Sequence, residues 1–177
     1  PEFATAHHGK GNALRELGET EAAILSYKKS ISIKANYSQS YTNIGLILME
    51  NGDLDGAIFN YKKALEIDPQ LYLTHNNLGH AFVEKGELTQ AISSYQRVID
   101  LDPEFAKAYV SIGVVLRESG KLKESLVSFL RSLEIDQGNR NCWNSILVAY
   151  KALDFSHALN EGPITSYKDA LSADVLN

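Results

Sequence analysis

The chain has 177 residues, 44% of them hydrophobic, and a formal net charge of −5. That composition suits a soluble folded protein, and the acidic balance disfavours a general binder of nucleic acid or anionic membrane, which needs a basic face. The one cysteine, Cys142, excludes an intrachain disulfide and a cysteine-based metal site. It also fits a reducing, cytoplasmic setting, and no apolar run approaches the roughly 18 residues that span a bilayer.

Pro1, Glu2 and Phe3 read as a cloning scar rather than a signal peptide, so residues 1–3 are set outside the expected fold. From Ala4 onward the chain repeats itself at an interval of 34 residues. Gly11, Gly45, Gly79 and Gly113 are in step, as are Tyr27, Tyr61, Tyr95 and Phe129. A 34-residue period marks a helix–turn–helix array. It divides the sequence into 4–37, 38–71, 72–105 and 106–139, with a degenerate fifth copy over 140–159.

Each copy predicts two helices. The first helix of copy one is the weakest, because Gly9 and Gly11 lower helix propensity and Lys10 stands where the other copies carry an apolar residue. In copies two to four the first helix carries an apolar stripe at spacings of three and four. Its members are Tyr41, Ile44 and Leu48, then His75, Leu78 and Phe82, then Tyr109, Ile112 and Leu116. On this pattern His75 belongs to the core. Gly52, Gly86 and Gly120 predict the turns. The second helix of copy two buries Leu54, Ala57, Ile58, Tyr61, Ala64 and Leu65, and ends at Asp68-Pro69 because a residue before proline leaves the α region.

Glycine at position 45, in mid-helix, costs about 1 kcal/mol relative to alanine. A close approach of the second helix would offset this, with Ala57 as the facing small residue. Gly79/Ala91 and Gly113/Ser125 repeat that pairing, and the following aromatic would fill the gap to the next copy. Copy five starts with Trp143, Ile146 and Tyr150 at the expected spacing, but Leu147 replaces the glycine. Residues 140–159 are expected to cover the end of the array. Gly162-Pro163 interrupts its second helix, and a short helix over 164–175 is an expectation for the tail, 160–177, either capping the array or reaching into its groove.

These in-phase residues resemble the tetratricopeptide repeat (TPR) family over about residues 4–157. The resemblance implies an all-α, right-handed superhelix of antiparallel helix pairs, with a concave groove lined by the first helices. It also implies a function: binding an extended or helical protein segment, without catalysis or cofactor. By the same resemblance, the groove residues are Asn12, Asn43, Leu46, Met49 and Glu50, then Leu73, Asn76, Asn77, His80 and Glu84, then Lys107 and Arg117. Gln39, Thr42, Val83, Val110, Ser111, Val114 and Glu118 share those positions. The in-phase Asn43 and Asn77 partly resemble the asparagine ladder of the O-GlcNAc transferase TPR domain, though Ser111 and Ser145 do not continue it. Polar residues that merely solvate a helix face are the alternative reading. Some TPR co-chaperones clamp the terminal carboxylates of heat-shock chaperones. Asn12 and Asn43 match that clamp, but His8, Leu73 and Asn77 replace its cations, which argues against the role.

The remaining motifs carry little chemistry. Gly9-Lys10-Gly11 lacks the spacing of a phosphate loop, and the stretch from Asn51 to Gly56 begins like a calcium loop but has Lys62 at its twelfth position. His7 and His8 are adjacent, so they point apart on a helix, and His80 alone makes no metal site. Glu16, Glu50, Glu84 and Glu118 form an in-phase acidic column whose positions near helix C-termini are electrostatically unfavourable. Arg15 and Arg117 neutralise its outer members and focus charge on Glu50 and Glu84. Three functions fit: a protein-binding scaffold, the recognition arm of a larger enzyme such as a glycosyltransferase, or a self-associating array.

Overall fold

The computed structural model describes residues 2–160, and among these there are helices and no strand. The helices are α1 (Glu2–Glu16), α2 (Thr20–Ile33), α3 (Ser38–Glu50), α4 (Leu54–Ile67), α5 (Tyr72–Glu84), α6 (Leu88–Leu101), α7 (Ala106–Glu118), α8 (Leu122–Ile135) and α9 (Arg140–Asn160). They divide into two compact units, one up to Glu87 and one from Leu88. Helix α1 begins at Glu2, inside the stretch read as a scar, and runs unbroken through Gly9 and Gly11. The tail beyond residue 160 lies outside the described residues.

In the N-terminal unit, α1 with α2 and α3 with α4 form antiparallel pairs. The turn between α3 and α4 depends on Gly52 at φ 80°, a left-handed conformation that costs an L-residue about 1–2 kcal/mol. Asp53 follows as the N-cap of α4, and its Oδ1 accepts the Gly56 N–H at 2.9 Å. Asp55 lies 2.8 Å from Lys85. One carboxylate of the calcium-loop resemblance is thus a helix cap and another an ion-pair partner. Asp53→Ala should lower stability by about 1 kcal/mol. A urea midpoint unchanged from wild type would show that the cap contributes nothing.

The core of each pair differs from expectation in one respect. A Cβ at Gly45 would lie 2.6 Å from the ring of Tyr61, and its three nearest atoms all belong to that ring. Gly113 stands likewise under Phe129, and Gly11 under Tyr27. The glycine therefore accommodates the aromatic of its own copy, one helical turn beyond the small residue expected there. The same aromatic also reaches onward: Tyr27 packs with Ala23, Ile44 and Ile47. His75 also departs from expectation. It is half-buried, with its Nε2 3.1 Å from the Pro69 carbonyl. Sitting in the first turn of α5, it meets the exposed end of the preceding loop rather than a packed interior.

In the C-terminal unit, Leu126, Phe129 and Leu133 of α8 form a core with Cys142 and Ala149 of α9. The Cys142 thiol donates to the Phe129 carbonyl at 3.1 Å.

Candidate functional site

The first helices of the N-terminal unit are α1, α3 and α5, and their polar residues fall into two groups. In the first, Asn12 and Asn43 come together. Tyr27 Oη donates to Asn12 Oδ1 at 2.8 Å, and Asn43 Nδ2 donates to the same oxygen at 2.9 Å and to Tyr27 Oη at 3.3 Å. Asn12 Nδ2 is 3.4 Å from His8 Nε2, and His8 Nδ1 is 3.0 Å from Ser40 Oγ. An amide nitrogen only donates, so His8 Nε2 accepts and Nδ1 carries the proton. Burial lowers the pKa of this imidazole, which favours the neutral form.

This network links α1, α2 and α3 through contacts about 31 residues apart in sequence. It commits the Asn12 carbonyl and one Asn43 N–H, which is shared between Asn12 Oδ1 and Tyr27 Oη because these two acceptors are themselves only 2.8 Å apart.

The second group forms a cleft of about 290 Å3 at the N-terminal ends of α3 and α5. Gln39, Thr42 and Asn43 line one side, and Leu71, Tyr72 and Leu73 the other. Thr42 and Thr74 share a hydroxyl hydrogen bond at 3.0 Å across its floor. Leu73 is 53% exposed. Leu73 and Asn43 were legible in the sequence, but Leu71, the N-cap of α5, and Tyr72, its first residue, were not; two apolar residues beside a turn were the available signal.

Further along the same helices, Glu50 and Glu84 are exposed. Burial first, then the fields of Glu50 and Glu84, push the Tyr61 phenol above the usual tyrosine range. The two acids thus act on one point, and Tyr61 Oη meets only the weak acceptor Met49 Sδ at 3.7 Å. Leu46, Met49, Asn76 and Asn77 are half-buried along this face, and Asn76 Oδ1 is buried without a partner. His80 is exposed, one turn before Glu84.

In the C-terminal unit, Lys107 is exposed and Arg117 half-buried on α7. Val110 and Val114, expected to line an open groove, pack instead against the α8–α9 core, because α9 covers them. Burial lifts the Tyr95 phenol to about 12, while its bond to Ser111 works the other way. Among the described residues, no group of three or more His, Cys, Asp or Glu could hold a metal, and no helix is long and apolar enough to cross a membrane.

The tetratricopeptide repeat pattern matches residues 11–52, 45–85 and 79–118, and residues 106–139. The chain belongs to the tetratricopeptide repeat family. Its fold class is the all-α TPR solenoid, and several solved structures are similar to it. MamA is 26% identical over 96% of this chain and 91% of its own, with a TM-score of 0.81. YrrB, a TPR protein with an unusual peptide-binding site, is 21% identical over 96% of this chain and 87% of its own, with a TM-score of 0.74. The first TPR of Spaghetti (RPAP3), bound to the HSP90 peptide SRMEEVD, is 24% identical over 66% of this chain and 92% of its own, with a TM-score of 0.63. No curated protein matches the sequence.

Within the TPR frame the site has a distinct character. At the positions where some TPR co-chaperones place cations it has His8, tied to Ser40, the exposed Leu73 and the half-buried Asn77. The charge it does present between α3 and α5 is negative.

Proposed function

We propose that this TPR chain is a protein-interaction scaffold whose N-terminal unit holds an extended segment of a partner protein. The observation that carries the reading is the exposed cleft itself, with Leu73 open to solvent beside Asn43. An apolar side chain of the partner enters between Leu71, Tyr72 and Leu73, and a backbone N–H of the segment donates to Asn43 Oδ1. YrrB and the TPR of Spaghetti, similar in fold, are described with a peptide-binding site and a bound peptide respectively, which supports the class of function.

The chemistry of the partner follows from the acids. Asn43 and Glu50 are seven residues apart on α3, about 10 Å along its axis, which three residues of extended chain span. A segment with an apolar residue and a Lys or Arg three positions away therefore fits the cleft and the Glu50–Glu84 pair together. An acidic peptide such as SRMEEVD meets like charge there and finds no clamp of cations. We assign the chain no reaction.

The test is an array of peptides that vary the spacing between one apolar and one basic residue, read at low and moderate salt. Binding should peak at the three-residue spacing and weaken with salt, since rim charges act on encounter and specificity. Glu50→Gln with Glu84→Gln should weaken it about two- to fivefold and flatten the salt dependence, and Leu73→Ser should abolish it. A double variant with unchanged peptide preferences and salt dependence would reduce the acids to a solvated edge.

A further inference from the structure

Within the network of His8, Asn12, Tyr27, Ser40 and Asn43, only the imidazole changes charge near neutral pH. Its protonation sets the direction of the hydrogen bonds around it. With Nδ1 protonated and Nε2 bare, Nδ1–H donates to Ser40 Oγ at 3.0 Å and Nε2 accepts from Asn12 Nδ2 at 3.4 Å. Asn12 is thereby turned so that its Oδ1 accepts from Tyr27 Oη at 2.8 Å and from Asn43 Nδ2 at 2.9 Å.

A second proton on His8 makes both ring nitrogens donors. Ser40 still accepts from Nδ1–H, but Nε2–H now meets the amide nitrogen of Asn12, donor against donor. Asn12 restores a bond by rotating its amide through half a turn, which brings Oδ1 to His8 and Nδ2 to the place that Oδ1 held. The Tyr27 hydroxyl adapts, since it can accept as well as donate. The Asn43 N–H does not, since it then faces another amide N–H. The conflict created on α1 is thus passed to α3.

We propose that His8 is a pH-sensitive latch, whose protonation reverses the Asn12 amide and releases Asn43 from α1. Asn43 lines the cleft with Leu71, Tyr72 and Leu73, so the latch acts on binding there, a consequence that rests on the reading of the cleft as a peptide site. The surroundings of the ring favour the neutral, latched form. Tyr27 of α2 and Tyr37, the N-cap of α3, stand against it with ring centroids 5.4 Å and 5.0 Å away. From α3 comes the uncharged, fully buried Ser40. Charged groups stand one residue further out: Lys34 is 5.4 Å from the Tyr37 ring, and Arg15 and Glu16 act on Tyr27. Burial lowers the His8 pKa from its ordinary 6.5. As the pH falls, the unfolded chain therefore takes up this proton before the folded one. The latch contributes fully above about 6.5 and is lost as the pH drops through the folded value.

The test is a pH titration of the full chain by NMR, from about pH 8 to 4.5, across the histidine range. The His8 ring signals should titrate below 6.5, and the side-chain NH2 signals of Asn12 and Asn43 should move with the same midpoint. In His8→Gln, whose amide both donates and accepts but does not titrate, the Asn43 signals should stay level. Asn12→Asp places a carboxylate at Nε2 and should raise the His8 midpoint. Asn43 signals that stay still through the His8 titration, or that move equally in His8→Gln, would overturn the proposal, as would a His8 midpoint unchanged by Asn12→Asp. Binding is read separately, with a peptide of three-residue apolar-to-basic spacing. Its affinity should fall about three- to tenfold more in the wild type than in His8→Gln over the same pH range; the variant subtracts the titration of Glu50, Glu84 and His80. Equal pH dependence in the two proteins would disconnect the latch from the cleft and overturn its regulatory role. A peptide that binds at no pH would instead refute the reading of the cleft, while the asparagine signals still decide the latch.

Discussion

Gly45→Ala should destabilise the protein by about 1–3 kcal/mol, even though alanine is the better helix former by about 1 kcal/mol. The added Cβ would stand 2.6 Å from the Tyr61 ring. Tyr61 is fully buried, so the ring cannot swing aside without displacing its neighbours. The cause can be isolated by removing the ring. In a Tyr61→Ala background the same Gly45→Ala change has room, and should stabilise by up to about 1 kcal/mol. That reversal of sign is a coupling between two contacting residues, which a double-mutant cycle read by urea denaturation measures. Gly9 supplies the control. It lies inside α1 with no atom within 4 Å of its Cβ position, so Gly9→Ala should be stabilising in any background. If Gly45→Ala were equally stabilising in the wild type, the glycine would not serve the aromatic.

The period of the sequence made the helices, their turns and the covered stripe legible, because glycines and aromatics recur in phase. The partner of Gly45 was not. Ala57 and Tyr61 lie on one face of α4, one turn apart, and pattern alone cannot say which of them stands opposite a given residue of α3. That register is set by the turn through Gly52, whose geometry has no sequence signature beyond the glycine itself. His75 illustrates a different gap. Its spacing matches the core stripe, but a residue in the first turn of a helix meets the incoming loop as well as the interior.

The candidate site was half legible. Leu73, Asn43, Glu50 and Glu84 followed from their repeat positions, and the structure gathers the first two at one cleft and the others around Tyr61. What the sequence hid is that Asn12 and Asn43 hold each other. A contact about 31 residues apart between two side chains that look like ligand contacts can only be seen once α1 and α3 are side by side. The consequence is functional. Asn43 is held in place by α1 and α2 as well as standing at a groove position.

Phe129→Ala should be the most damaging single change in the C-terminal unit, lowering stability by about 3–5 kcal/mol. The ring has no exposed surface and fills the space between Gly113 on α7 and the cluster of Leu126, Leu133, Cys142 and Ala149. Gly113 cannot expand into the void, and Ala149 offers no side chain to do so. Phe129→Tyr is the informative partner experiment. Tyr27 Oη meets Asn43, and Tyr95 bonds Ser111, each at the same position of the next first helix. On the pattern of Tyr27 and Tyr95, though not of Tyr61, whose hydroxyl meets Met49, a tyrosine at 129 would point its hydroxyl at Ser145, and the change should stay within about 1 kcal/mol of wild type. Leu73→Ala sets the scale from the other side. It removes an exposed side chain, so stability should move by no more than about 0.5 kcal/mol while peptide binding is lost. A Phe129→Ala protein with a denaturation midpoint as high as that of Leu73→Ala would show that the aromatic does not anchor this core.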